Sequence, residues 1–189
     1  MAKWEDLLPL VLPVVRNVPK QAAMVEIRWA AKTFCDRSHY WRETLDAMQF
    51  IPGNATAEME PPSGASVICV LSLRLDGVEL IPNADYTATA SEITLARVPS
   101  QAQVGVVHCA LRPSLGAAGM PDSLANEWGD EIAKGAVASL KMQAGAEWFD
   151  ASGASINREI FEDAIATAKR RALQGMAQNN LQVRPRRLW

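Results

Sequence analysis

Apolar residues recur every fourth position after Asp122: Leu124, Trp128, Ile132, Ala136 and Leu140, with Gly135 and Ser139 beside them. That period lays one buried stripe along a helix, and Asp122 or Ser123 can cap its start. A second stripe, Ile160, Phe161, Ala164, Ile165, Ala168 and Ala172, predicts another helix, so the stretch Asp122 to Ala177 holds two in series. Trp148 and Phe149 close the turn between them, Ser152-Gly153-Ala154-Ser155 separates the pair, and Ser155 or Asn157 is the expected cap. Gly129, Gly135, Ala136, Ala138 and Ser139 leave the first helix small-sided, which suits close contact within a bundle or between subunits. Both stripes need a partner, and Lys20 to Tyr40 supplies a third helix through Ala23, Ile27, Ala30, Ala31 and Phe34. Asn17-Val18-Pro19 reads as its start, because proline is tolerated at the first helical position. Ahead of it, Trp4 to Val15 predicts a brief helix or turn with Trp4, Leu7, Leu8 and Val11 on one face.

After Trp41 the period shortens. Thr44 to Ile51 alternates, Leu45, Ala47 and Gln49 against Thr44, Asp46 and Met48, as a half-exposed strand does. Pro52-Gly53-Asn54 and Pro61-Pro62-Ser63-Gly64 mark a loop, and Val67 to Leu75 is a strand. Asp76-Gly77 before Val78-Glu79-Leu80 predicts a hairpin, because its tight turn needs positive φ at both central residues. Tyr86 to Ala90, Glu92 to Ala96 and Val104 to Leu111 complete about six strands, ended by Arg112-Pro113. Ser114 to Met120, with Gly116-Ala117-Ala118-Gly119, reads as a hinge or linker; it lacks the lysine of a phosphate loop.

The expected fold is therefore α+β. Residues 1–43 and 114–180 form a bundle of three main helices, one N-terminal and two C-terminal. Residues 44–113 form an inserted antiparallel sheet or sandwich, and 181–189 an extended basic tail.

Composition is that of a chain able to bury a core: 189 residues, 49% hydrophobic and 21% charged. The net charge of −2 conceals an asymmetry. Lys169, Arg170, Arg171, Arg184, Arg186 and Arg187 are six of the 19 basic residues, and no acid follows Asp163. The first 168 residues thus hold 13 basic against 21 acidic residues, about −8, and the end holds +6. A basic end on an acidic body suits nucleic acid or a copy of that body. Leu7 to Val15 is too short to span a bilayer and lacks a basic leader and cleavage site, so the expectation is a protein that stays in the cytosol where it is made.

Candidate chemistry is sparse. Cys35, Cys69 and Cys109 are odd in number and far apart, the pattern of reduced, buried thiols and not of a disulfide or zinc framework. His39 and His108 have no partner at metal spacing. Asp122, Glu127, Asp130 and Glu131 could bind a metal, but acids near the start of a helix also complement its dipole. No catalytic, cofactor or metal residue is nominated. Trp29, Trp41, Trp128 and Trp148 fall near helical stripes or helix ends and are expected to fill the core. Trp4 and Trp189 stand apart at the two ends. A tryptophan behind Arg184-Pro185-Arg186-Arg187-Leu188 is expected to be either disordered, as chain ends often are, or anchored in another chain, tryptophan and arginine being favoured at interfaces.

Three stretches, in order, resemble the head-to-tail adaptor (connector) proteins of tailed bacteriophages. Trp4-Glu5-Asp6-Leu7-Leu8-Pro9 through Pro19, with Ile27-Arg28-Trp29-Ala30-Ala31-Lys32-Thr33-Phe34-Cys35 and Trp41, looks like the family's N-terminal helix. Leu75-Asp76-Gly77-Val78-Glu79-Leu80-Ile81-Pro82 and Ala110-Leu111-Arg112-Pro113-Ser114 look like its central β region. Met120-Pro121 through Leu140, then Trp148 and Phe161 to Arg171, look like its closing helices. The resemblance implies a non-enzymatic virion protein at the head-to-tail interface, assembled in the host cytoplasm as a homo-oligomeric ring of twelve subunits. Its implied partners are the portal protein and a downstream tail or nozzle protein, with genome DNA passing through unread and no membrane or cofactor involved. Arg184, Pro185, Arg186, Arg187, Leu188 and Trp189 sit where related adaptors carry a segment that reaches the portal. The alternative is a nucleic-acid-binding module that uses the basic C-terminal segment.

Overall fold

A computed structural model describes residues 1–175. The chain begins with β1 (Ala2–Lys3), a 3-10 turn (Trp4–Leu7), α1 (Leu8–Val11) and α2 (Lys20–Ser38). The β region follows as β2 (Arg42–Thr44), β3 (Met48–Phe50), β4 (Thr56–Glu58), β5 (Ala65–Leu75), β6 (Val78–Leu80), β7 (Tyr86–Ala88), β8 (Glu92–Leu95) and β9 (Gln103–Pro113). β10 (Gly119–Met120), α3 (Asp122–Lys141) and α4 (Ala151–Gln174) complete it. The class is α+β: helices from both ends of the chain pack together, with small antiparallel sheets inserted between them. Among the described residues no helix is long and apolar enough to cross a membrane. The tail expected over 181–189 lies outside the described residues.

α3 packs against both α2 and α4, and β9 packs on α2. The three helical stripes meet at Phe34, whose ring lies 5.4 Å from Trp128 and 6.3 Å from Phe161. Gly135 has no side chain because Phe161 occupies its place; a Cβ there would come within 2.8 Å of that ring. In the sheet, β9 pairs antiparallel with β5 on one side and with β2 and β3 on the other, and β6 adds to β5. A separate three-stranded sheet runs β4-β8-β7. Asp76 (φ 49) and Gly77 (φ 85) both take the left-handed conformation that the two-residue hairpin requires.

Several expectations give way. Thr44 to Ile51 is two strands, not one. Thr44 faces His108 while Met48 faces Gly105, so four steps along one strand match three along β9. The extra residue, at Asp46–Ala47, is a β-bulge that reverses the alternation and brings Leu45, Met48 and Phe50 into the core in place of Leu45, Ala47 and Gln49. Part of the proline–glycine loop pairs as β4.

Helix starts also differ. Pro121 holds the cap position of α3, and Asp122 instead meets the amino group of Met1 at 2.9 Å. α4 starts at Ala151 because Asp150 accepts from the Gly153 amide (2.9 Å) and from Lys141 (3.0 Å). Ser152 to Ser155 are therefore its first turn, and Asn157 lies inside it, donating to the Gly153 carbonyl at 2.7 Å. α2 stops at Ser38, where His39 turns left-handed (φ 51).

Residues 114–120 are not a hinge. Ala117 and Met120 are buried, the Trp4 indole donates to the Ala117 carbonyl at 2.7 Å, and β10 pairs with β1. An added Cβ on Gly119 would sit 1.9 Å from the Ala2 carbonyl oxygen, so this pairing depends on glycine. Gly119→Ala is expected to destabilise the fold by about 1–3 kcal/mol in urea unfolding. Gly116→Ala, which meets open space, should change stability by less than about 0.5 kcal/mol.

Candidate functional site

Arg184, Pro185, Arg186, Arg187, Leu188 and Trp189 lie outside the described residues. Of the basic residues that precede them, Lys169 and Arg170 are exposed on the last turns of α4. Arg171 is engaged within the molecule: it donates to Glu127 at 2.6 Å and lies 5.0 Å over the Trp128 ring. Glu127 also accepts from the Tyr40 hydroxyl, so α3 and α4 are tied together with the segment just after α2. Burial, and then the bond to Glu127, raise the Tyr40 pKa. The four acids near the start of α3 do not form one site. Asp122 serves Met1, Glu127 serves Tyr40 and Arg171, and among the described residues no group of three or more His, Cys, Asp or Glu is placed to hold a metal ion.

Cys35 and Cys109 are buried, and Cys69 is partly so. Burial, with Asp36 beside it, drives the Cys35 thiol well above its ordinary range. Burial first, then Glu43 and Cys69, push Cys109 up to about 11. The fold also makes a contact that the sequence did not indicate: Cys69 Sγ lies 3.8 Å from His39 Nδ1. A nucleophilic cysteine needs a depressed pKa, whereas burial raises that of Cys69. His108 Nδ1 meets the Thr44 hydroxyl at 3.3 Å across β2 and β9.

Surface chemistry lies elsewhere. Trp29, expected in the core, is half exposed on α2 beside Val25, with Lys32 4.7 Å from its ring centroid. Ile160, expected in the buried stripe of α4, is exposed next to Ile156. Trp4, set apart in the sequence, is core. Among the described residues three grooves open on the β region, one of about 360 Å³ between the start of β5 and the 82–90 segment. Another, of about 480 Å³, lies between Leu75, Leu80 and the 95–103 segment. The third, of about 370 Å³, lies between β3 and β4 and carries Asp46, Glu58 and Glu60. A signal for the α2 patch was present in the sequence, because Val25 and Trp29 are one turn apart and off the Ala23–Ile27–Phe34 stripe. No protein-family model and no curated protein matches the chain.

The clearest pH-linked contact is Arg37 with Glu162, joined by two bonds of 2.6 and 2.5 Å between α2 and α4. The Arg37 hydrogen bond holds the Glu162 carboxyl below its ordinary range. The unfolded chain therefore binds that proton more readily, and the pair's contribution is present above the unfolded pKa of about 4.3 and lost as pH falls through the folded value. Glu162→Gln should lower the melting temperature at pH 7, with the deficit shrinking below pH ~4; a deficit independent of pH would contradict this role. For the thiols, iodoacetamide at mildly alkaline pH is expected to modify Cys69 before Cys35 and Cys109, as read by peptide mass spectrometry.

Proposed function

We propose that this chain is a virion structural protein: a head-to-tail adaptor whose ring links the portal to the tail of a tailed bacteriophage and continues the DNA conduit. The observation that carries the reading is the ordered likeness along nearly the whole chain. Its first stretch falls on the N-terminal turn, α1 and α2, its second on the β5–β6 hairpin and the end of β9, and its third on α3 and α4. The helical layer thus has the composition the likeness implies, built from both chain ends around a β insertion.

Charge supports the same role. A predominantly acidic body repels the phosphate backbone, which suits a passage through which DNA must slide without sticking. The basic segment then serves contact with protein, and 184–189 is the stretch assigned to the portal or a neighbouring subunit. The nucleic-acid alternative draws on the same six cations, of which Arg171 is already paired with Glu127.

Purified chain mixed with portal should form a ring on it by native mass spectrometry and negative-stain imaging. A chain that stays monomeric and ignores the portal would overturn the reading. Duplex DNA binding that weakens steeply with salt would favour the alternative. Deleting Arg184 to Trp189 should leave the melting temperature of the monomer nearly unchanged and weaken portal docking by about tenfold or more. A large loss of monomer stability would place Trp189 in the subunit's own core instead.

A further inference from the structure

The long helices α2 and α4 each carry one pair of exposed apolar residues one turn apart. On α2 they are Val25, 47% exposed, and Trp29, 51% exposed, with the Lys32 ammonium resting on the indole. Asp36 lies farther along the same flank and pairs with Arg112 of β9 at 2.9 Å, so this flank borders the sheet and the charge left on it is that of Lys32. On α4 the pair is Ile156, 61% exposed, and Ile160, 42% exposed, with Glu159 and Asp163 beside them. Glu162, bonded to Arg37, marks the side of α4 that faces α2. Ile160 is two residues from it, about 200° around the helix. The patches therefore occupy separate sides of the layer, and one molecule cannot bring them together.

We propose that the Val25–Trp29 face of α2 docks on the Ile156–Ile160 face of α4 in a second copy of this chain. Charge selects this pairing. An α2–α2 contact would set Lys32 against Lys32, and an α4–α4 contact would set Glu159 and Asp163 against their own kind. The α2–α4 contact places the cation over the acids, with Trp29 as a large, stiff anchor between isoleucines. Such a contact uses different surfaces on its two sides, so it repeats from subunit to subunit and builds a ring or a filament. Closure into a ring rests on the adaptor reading; the pairing itself does not.

The test uses the full chain and two variants, Trp29→Glu and the double variant Ile156→Glu, Ile160→Glu. All three positions are exposed, so circular dichroism melts should match the wild type. By sedimentation velocity at high micromolar concentration, the wild type is expected above monomer mass and each variant alone at monomer mass. An equimolar mixture of the variants keeps one intact copy of each face and should give a dimer and nothing larger. A monomeric wild type, a variant that assembles like the wild type, a mixture that stays monomeric, or dimers of Trp29→Glu alone would each overturn the proposal.

Should either variant fail to fold, a charge exchange decides the matter. Lys32→Glu alone should weaken association by about tenfold, and adding Glu159→Lys and Asp163→Lys in the same chain should restore it; no restoration overturns the contact. None of these measurements uses the portal. A chain that self-associates through these faces and ignores the portal overturns the adaptor reading alone.

Discussion

Phe34 is the side chain on which the three long helices converge. Its ring touches Trp128 from α3 and Phe161 from α4, and aromatic pairs of this kind contribute about 0.5–1.5 kcal/mol each beyond the area they bury. The contact is possible only because Gly135 lets the Phe161 ring lie against the backbone of α3. Any side chain there would push α4 outward and separate Phe161 from Phe34. The junction joins helices from the two ends of the chain, so it also determines where the β region leaves and returns. Arg42, just after α2, pairs with Ala110 near the end of β9, and Arg112 then bonds both Ser66 and Asp36.

The sheet repeats the same device. Phe50 is fully buried and lies over Gly105, where an added Cβ would come within 2.8 Å of its ring. The bulge at Asp46–Ala47 makes this possible, since without the extra residue Phe50 would point to the other face. Large rings seated on glycines account for the close packing of helix on helix and of strand on strand. They also explain why these glycines sit inside regular elements, where glycine otherwise costs conformational entropy.

With the core closed in this way, the surface divides by chemistry. Tyr40, Glu127 and Arg171 bind one another across the helical layer, which withdraws one cation from the basic end of the chain. Exposed apolar pairs remain on α2 and α4, each with its own sign of charge. These are the two faces of the proposed contact between copies, and a mostly acidic body is consistent with the proposed passage of DNA.

The sequence by itself determined the three long helices and the longer strands, and the order in which they come. Periods of 3.6 and 2 are local properties, and the Asp76-Gly77 turn needs nothing beyond its own dihedral angles. It also exposed the uneven charge. Only the tertiary structure decided phase and contact. Ile160 fits the stripe of α4 as well as its neighbours do, yet it faces outward, because Phe34, Trp128 and Phe161 fix how the helix is rotated. Ser152 to Ser155 read as a break until Lys141 and the Gly153 amide make Asp150 the better cap. Residues 114–120 read as a hinge until Trp4, more than a hundred positions earlier, bonds the Ala117 carbonyl. For Ile160 and for residues 114–120 the deciding partners are distant in the chain and no local pattern records them, whereas the Asp150 cap is a local one, made by the Gly153 amide three residues on.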